Sequence, residues 1–533
     1  MKMRLPDSIH IYSEEKSAAF PGNTAHSWGD AALQLSTSGD RLSVTLCAEK
    51  TPLSYIRLRW SFAAEEQRRD VRILGDEWER GYGHMEWRGI LPERCMPWVC
   101  LVSNGSDAYR DTAGRLTEGF GIAARPACLA FWQYDGAGIT AFLDVRNGGR
   151  GVVLSGRTLR VCDIVFGEYR DVSAMEAAMR FYKALFPERL PLPHPVYGGN
   201  TWYYSYGDIS QEGVLEAGAL MAKLCRGLEK PYMVIDDGWS PNRTDGPWDR
   251  GNAHFPDMAA LAERFKDMGL RPGIWFRPLC DIAHQTKGIP EEARLSRDKN
   301  VLDPSHPAVQ ALIRKDVHRF AWEWGYELIK HDFTNCDVFG AWGFARPTSM
   351  TDDGWAFYDR GRTSAEIVSE LYRLIYEAAQ GKALILGCNT AGHLIAGYAQ
   401  LNRTGDDTSG RDWERTRRYG VNTLAFRQPH AAFFMPDADC VGIRGDIPWA
   451  RNRQWLKAVS VSGTPLFISL KPGVSAPEEL SEIREALKRA SVQNDTLIPL
   501  DWMENTCPAR WLLNGDEVRF DWYGEAGCES FKP

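Results

Sequence analysis

The chain has 533 residues, 44% hydrophobic and 25% charged, an ordinary globular balance with room for about two to four domains. Lys and Arg total 63 against 70 Asp and Glu, so the net charge of −7 offers no basic surface for nucleic acid. No run of about 18 apolar residues is present, and no membrane span or membrane partner is expected.

The opening residues Met1 to Ser8 lack the apolar stretch of a secretory signal. The 12 cysteines are scattered without a CxxC pair, which points to reduced thiols and a cytoplasmic location. The 11 histidines include no HxH and no HExxH, so neither a metal nor another cofactor is expected. The 20 tryptophans suit sugar faces and protein cores alike.

Residues 1–190 read as mostly β. Alternating runs recur at Leu42–Leu46, Ile56–Trp60, Leu129–Trp132 and Ile139–Leu143, with turn signals such as Asn147-Gly-Gly149 between them. Met175–Phe186 has helical spacing. Pro191-Leu-Pro-His-Pro195 is a stiff linker, and the first domain boundary is placed there.

The texture then changes to strand and helix in alternation over residues 191–490. Eight strands are expected: Tyr197–Thr201, Tyr232–Ile235, Pro272–Phe276, Glu327–Lys330, Ala383–Gly387, Ala399–Arg403, Ala431–Phe434 and Pro465–Leu470. The clearest helices are Gln211–Leu228, Pro307–Trp324, Ala365–Gln380, Trp449–Val461 and Glu478–Ala490, and only Leu394–Tyr398 can serve the fifth unit. This count and length match a (β/α)₈ TIM barrel. A doubly wound sheet is the alternative, but no GxGxxG follows a strand. Residues 491–533 return to β, with a hairpin around Asn514-Gly515.

In a parallel barrel the C-terminal strand ends carry the chemistry. Here they carry Trp202, then Asp236-Asp237-Gly-Trp239, then Trp275-Phe-Arg277, then Lys330-His-Asp332, then Cys388-Asn389, then Arg403-Thr-Gly-Asp406-Asp407, then Asp437 and Asp439. Each alone has a structural reading. Asp-Asp-Gly is a common turn, Lys330 and Asp332 could pair to close a strand, and Asp406-Asp407 could cap a helix. So many carboxylates around one rim, with tryptophan faces, point instead to glycoside hydrolysis by two carboxyl groups.

The ordered set Asn200-Thr-Trp202, Ile235-Asp-Asp-Gly-Trp239, Gly273-Ile-Trp-Phe276, Val301-Leu-Asp303 with Arg297 upstream, Lys330-His-Asp332 and Arg403-Thr-Gly-Asp406 resembles the α-galactosidase (melibiase) families, and glycoside hydrolase family 36 most. The resemblance spans roughly residues 195 to 480. It implies an N-terminal antiparallel β-sandwich (residues 1–190), the barrel (191–490) and a small C-terminal β-sheet domain (491–533). It implies a retaining, exo-acting enzyme on α-galactoside oligosaccharides or glycoconjugates. Asp332 matches the nucleophile and Asp406 the acid/base, with Asp407 as the alternate. Asp236 and Asp237 match the pair reading O4 and O6 of galactose, and Lys330 a contact to sugar hydroxyls. Trp202 and Trp275 match aromatic walls, Arg403 and Cys388 contacts near the 2-position, and Arg297 a binding arginine.

Two segments depart from the family pattern. Cys388-Asn-Thr-Ala-Gly-His393 replaces Cys-x-x-Gly-Gly-Gly-Arg, and Arg277-Pro-Leu279 replaces a Glu-Pro-Glu-like run. These leave open an α-N-acetylgalactosaminidase or a raffinose-type transglycosylase on the same scaffold. A non-catalytic sugar-binding protein and a metal-dependent barrel hydrolase are the remaining readings. The natural glycoside, its linkage and a homo-oligomeric assembly are left open by the sequence.

Overall fold

The computed structural model describes residues 3–528, apart from 69, 80–84, 106–111, 347 and 526. Residues 8–170 build two antiparallel sheets of six and seven strands. Ala31–Ser38 and Arg41–Ala48 show how: each buries every second side chain, and Gly39, at φ +61°, makes the turn between them. The inward residues of both sheets form one core. Trp60 of one sheet meets Phe166 of the other edge-on, with ring centroids 5.3 Å apart.

The helix Ala174–Leu185 follows, capped by Ser173, whose hydroxyl accepts the Glu176 amide at 3.1 Å. Its Phe181 lies flat on Gly119, Gly121 and Gly167, where a Cβ would stand 3.0 Å or less from the ring. Its Tyr182 donates to Asp76 at 3.0 Å. Asp76 also pairs with Arg427 and lies 3.0 Å from His430, so one buried carboxylate joins the antiparallel sheets, this helix and the following unit.

That unit is built on nine parallel strands: β1 Tyr197–Asn200, β2 Tyr232–Ile235, β3 Arg271–Phe276, β4 Leu328–His331, β5 Leu384–Gly387, β6 Leu401–Arg403, β7 Met435–Asp437, β8 Val441–Ile443 and β9 Leu466–Leu470. The hydrogen-bonded order is β7-β6-β5-β4-β3-β2-β1-β9-β8. Alternate residues divide between two cores. Val234, Leu328, Leu384, Leu386, Leu401 and Phe467 pack together although several of their strands are not neighbours, so the sheet is curled on itself. Ile235, Ile274, Ile329, Ile385 and Ile468 face the helices outside.

The seventh strand corrects the sequence reading. Ala431–Phe434 is not a strand: Pro429 starts a 3₁₀ turn over Gln428–Ala432, and Phe433 is buried against Tyr182, ring centroids 5.5 Å apart. The strand begins at Met435 instead. Pro436 within it has no N–H to donate, which suits its place at the end of the ladder. The helix expected over Pro307–Trp324 is α-helical to His318 and widens to a π stretch at Arg319–Glu323. The fifth unit has only the single turn Gly392–Ile395. Strand β8 has three residues, too few for periodicity to reveal.

After the helix Pro477–Ala490, the strands Leu497–Pro499, Arg510–Leu513 and Asp516–Arg519 form a small antiparallel sheet. Its hairpin turns at Asn514 and Gly515, both at positive φ, as a tight two-residue turn requires. Among the described residues no helix is long and apolar enough to cross a membrane.

Removing one partner of a buried ion pair leaves the other charge uncompensated. Asp76→Ala strands the Arg427 guanidinium and should cost about 3–5 kcal/mol, read by chemical denaturation. A loss below about 1 kcal/mol would show that this contact does not hold the sheets to the curled unit.

Candidate active site

The two-residue period that curls the sheet also sorts the polar residues at its end. Leu328 lies on the inner side of β4 and Ile329 on the outer. Lys330 and the following Asp332 therefore fall on the inner side and His331 on the outer. The same count puts Asp236 after β2, Trp275 in β3, Cys388 after β5 and Arg403 in β6 inside the curl. His331, packed on Tyr372, is fully buried, and burial pushes its imidazole down to about 4, so it is neutral.

The Lys330 ammonium donates to Asp236 Oδ2 at 2.8 Å, and Asn200 Nδ2 donates to the same oxygen at 2.9 Å. Burial works to discharge Lys330, but Asp236, Cys388 and Asp332 outweigh it and hold the lysine charged well above its ordinary range. The Asp236 N–H donates to the Thr201 hydroxyl at 2.9 Å, tying the end of β2 to the end of β1. Asp237 is the contrasting neighbour. It is buried, its Oδ1 has no hydrogen-bond partner among the described residues, and burial and the Asp236 charge raise its carboxyl to about 6, against the pull of Arg243.

Asp332 is held by donors from three directions. Asn389 Nδ2 and the Phe333 N–H donate to Oδ1 at 2.6 and 2.7 Å, and Trp275 Nε1 to Oδ2 at 3.1 Å. Phe333 takes a left-handed conformation, φ +62°, which turns the chain sharply into the helix Thr334–Phe339. Arg277 supports that turn from the end of β3. It pairs with Asp337, Nε to Oδ2 2.9 Å, and covers the Phe333 ring at 4.4 Å. Arg297 serves the same segment from outside, donating to the carbonyls of Asp337 and Val338 and lying 5.5 Å from the Trp355 ring. It braces the segment after Asp332 and is not drawn into the Lys330–Asp236 group.

The second carboxylate group surrounds Arg403. Its guanidinium pairs with Asp407 and Asp439, each at 2.9 Å, and Tyr203 donates to Asp439. Lys330 and Arg403 are close enough to repel one another, and both act on the buried Asp437, whose carboxyl burial raises to about 6. Cys388, also buried, lies within the electrostatic reach of both cations. The two groups therefore share one interior. Trp202 lies beside them, half-buried on the inner core, with its ring centroid 5.7 Å from that of Tyr206.

Asp406 and Asp407 differ sharply. Asp406 has a side chain 1% exposed, with Oδ2 on Arg415 at 3.1 Å and Oδ1 accepting the Asp407 N–H at 2.6 Å. The Asp407 side chain is 34% exposed. Sequence reasoning set Asn389 at the end of the fifth strand without foreseeing its contact with Asp332, and it missed Arg415. Asn389 stands alone in a loop, and Arg415 reaches back from the next helix. Neither carries a periodic signal, although a left-handed position, φ +57° at residue 389, favours asparagine.

A carboxyl group held by donors can attack a carbon, and one reachable from solvent can transfer a proton. Acceptors such as Asp236 and Asp237 can hold hydroxyls between them. Among the described residues no group of three or more His, Cys, Asp or Glu is arranged to hold a metal ion.

Asp237 yields a stability prediction. Its carboxyl titrates near 6 in the native state and at 3.8 ordinarily. Between those values the native state holds more protons than the unfolded chain, so stability falls as pH rises. Asp237→Asn should therefore stabilise the protein by about 2 kcal/mol at pH 7.5 and by almost nothing at pH 4. Denaturation at the two pH values checks it; equal effects would place the strain elsewhere.

No family model and no curated protein sequence matches the chain. Solved structures do. An α-galactosidase from Thermus thermophilus in complex with p-nitrophenyl α-D-galactopyranoside is 18% identical, with a TM-score of 0.59 over 92% of this chain and 96% of that one. A family 36 α-galactosidase from Geobacillus stearothermophilus in complex with 1-deoxygalactonojirimycin is 14% identical, with a TM-score of 0.59 over 91% of this chain and 71% of that one. A second family 36 α-galactosidase from the same organism is 16% identical, with a TM-score of 0.59 over 88% and 68%. The chain has the multidomain fold of the family 36 α-galactosidases.

Proposed function

We propose that this protein is a retaining, exo-acting α-galactosidase whose curled sheet of nine parallel strands takes the place of the (β/α)₈ barrel of a glycoside hydrolase. The observation that carries the reading is the Asp332 carboxylate, held by three donors inside the same curl as the Lys330–Asp236 pair. The neighbouring structures add the sugar: their bound molecules include stachyose, raffinose and p-nitrophenyl α-D-galactopyranoside.

On this reading Asp332 attacks the anomeric carbon while a carboxylic acid protonates the departing oxygen. Water then enters, gives its proton to that same group and releases galactose with its anomeric configuration retained. The two carboxyl groups of such a pair stand about 5–5.5 Å apart. Asp236 and Asp237 accept hydrogen bonds from the O4 and O6 hydroxyls, Lys330 adds a donor, Trp202 and Trp275 form walls, and Arg403 and Cys388 lie near the 2-position. Arg297 contributes by holding the segment after Asp332.

The acid/base must meet first a leaving oxygen and then water. Asp406 is the residue the motif suggests, but its buried oxygens are engaged by Arg415 and the Asp407 N–H. The greater exposure of Asp407 favours it for proton transfer, with Asp406 as the anchor of the turn.

Asp332→Asn should lower turnover of p-nitrophenyl α-galactoside about a thousandfold or more with unchanged circular dichroism. Activity surviving that change sinks the nucleophile assignment. Asp407→Asn should slow raffinose hydrolysis about 10²–10⁴-fold while sparing substrates with good leaving groups, and azide should restore turnover. If Asp406→Asn shows that pattern instead, the roles are exchanged. NMR of the first-formed sugar should show the α anomer. Preferential release of N-acetylgalactosamine from a paired substrate would change the sugar and not the mechanism.

A further inference from the structure

Asn389 follows β5 at the residue after Cys388, fully buried. Its Nδ2 donates to Asp332 Oδ1 at 2.6 Å, whereas its own Oδ1 has no hydrogen-bond partner among the described residues. The carboxylate therefore sets the orientation of the amide, since the flipped amide would put oxygen against oxygen. The backbone is fixed as firmly. The Asn389 carbonyl accepts from the Asn335 N–H and the Thr334 hydroxyl, each at 3.2 Å. Thr334 and Asn335 lie two and three residues beyond Asp332, so the ends of β4 and β5 are joined both through backbone and through side chains. The donor cannot drift from the carboxylate without unpicking both joins.

The chemistry of the proposed double displacement says what such a donor does. In the first step an Asp332 oxygen bonds to the anomeric carbon. The bond to the leaving oxygen breaks, and that oxygen takes the acid's proton. In the second step a water oxygen bonds to the same carbon and its proton passes to the acid/base. The carbon–Asp332 bond breaks, and its electron pair returns to the carboxylate. A hydrogen bond to a carboxylate is about twice as strong as one to a neutral ester. The amide thus holds the free nucleophile in place and strengthens its grip as negative charge returns during release.

We propose that Asn389 is a positioning residue that holds Asp332 and speeds its departure from the glycosyl–enzyme ester, making the second half of the reaction depend on a side chain outside the carboxylate pair. This rests on the reading of Asp332 as nucleophile.

The test uses the full chain and p-nitrophenyl α-galactoside. Two variants are made, so that a folding failure in one leaves the other. Asn389→Asp keeps the shape and tolerates the left-handed backbone, and Asn389→Gly keeps the backbone and removes the side chain. Loss of one hydrogen bond to a charged group should lower kcat about ten- to hundredfold. KM should fall with kcat, so that kcat/KM, which reports the first step, changes far less. Nitrophenol should appear in a burst, and intact mass should show one added galactosyl group. The acidic limb of kcat/KM should rise by about one pH unit in Asn389→Gly and further in Asn389→Asp, where a second carboxylate faces the first. Wild-type kinetics in the variants would overturn the proposal. So would a parallel loss of kcat and kcat/KM, with no burst and an unmoved acidic limb, which is the mark of a structural brace. Failure of the nucleophile reading looks different: Asp332→Asn remains active whatever Asn389 does.

Discussion

A lysine ammonium inside a protein is tolerable only where anions meet it. Lys330 meets Asp236 at 2.8 Å, and the rest of the candidate site follows from that contact. The pair links the ends of β4 and β2 across β3, so it can form only if the sheet curls and the strands keep their register. A slip of one residue in β4 would turn Lys330 and Asp332 outward and bring His331 in. The apolar alternation that fixes the register is thus also what brings the charges together. Asn200 and Thr201 extend the same network to β1, so three strand ends converge on a single carboxylate.

Inside the curl the charges are unequal by design of their surroundings. Asp236 is compensated, whereas Asp237 beside it is not and is driven toward its neutral form. Asp332 is held in place by the neutral donors Trp275 and Asn389. Arg403 is shared between Asp407 and Asp439. Adjacent aspartates thereby sit in different surroundings, the kind of difference that sets the acid and the base of a carboxyl pair apart.

Much of this could be read from the chain alone. Leu328-Ile329 announces a buried strand, and the charged residues directly after it mark its end. The alternating runs of the first 190 residues and the Asn514-Gly515 turn were equally plain. The reading failed where local pattern and tertiary packing disagree. Ala431–Phe434 looks like a strand because it is apolar, but Phe433 packs on Tyr182 of a helix some 250 residues earlier in the chain, and Pro429 sets a turn. Arg297 resembles a binding arginine by its place in the motif, and its Nε and Nη2 donate to the carbonyls of Val338 and Asp337. Asn389 was placed at a strand end, but its contact with Asp332 lies 57 residues back and leaves no local sign; Arg415 was missed because a lone polar residue has no period.

The bed of Gly119, Gly121 and Gly167 beneath Phe181 has a consequence for modularity. Small residues let the helix Ala174–Leu185 sink into the seven-stranded sheet, while its Tyr182 reaches the other unit through Asp76. The helix works as a rivet with one head in each part. Neither part would be a clean building block for recombination: cut before the helix, the sheet shows a bare glycine trough; cut after it, the remaining unit loses the carboxylate opposite Arg427. An ancestor that gained or exchanged the leading sheets had to bring rivet and trough together.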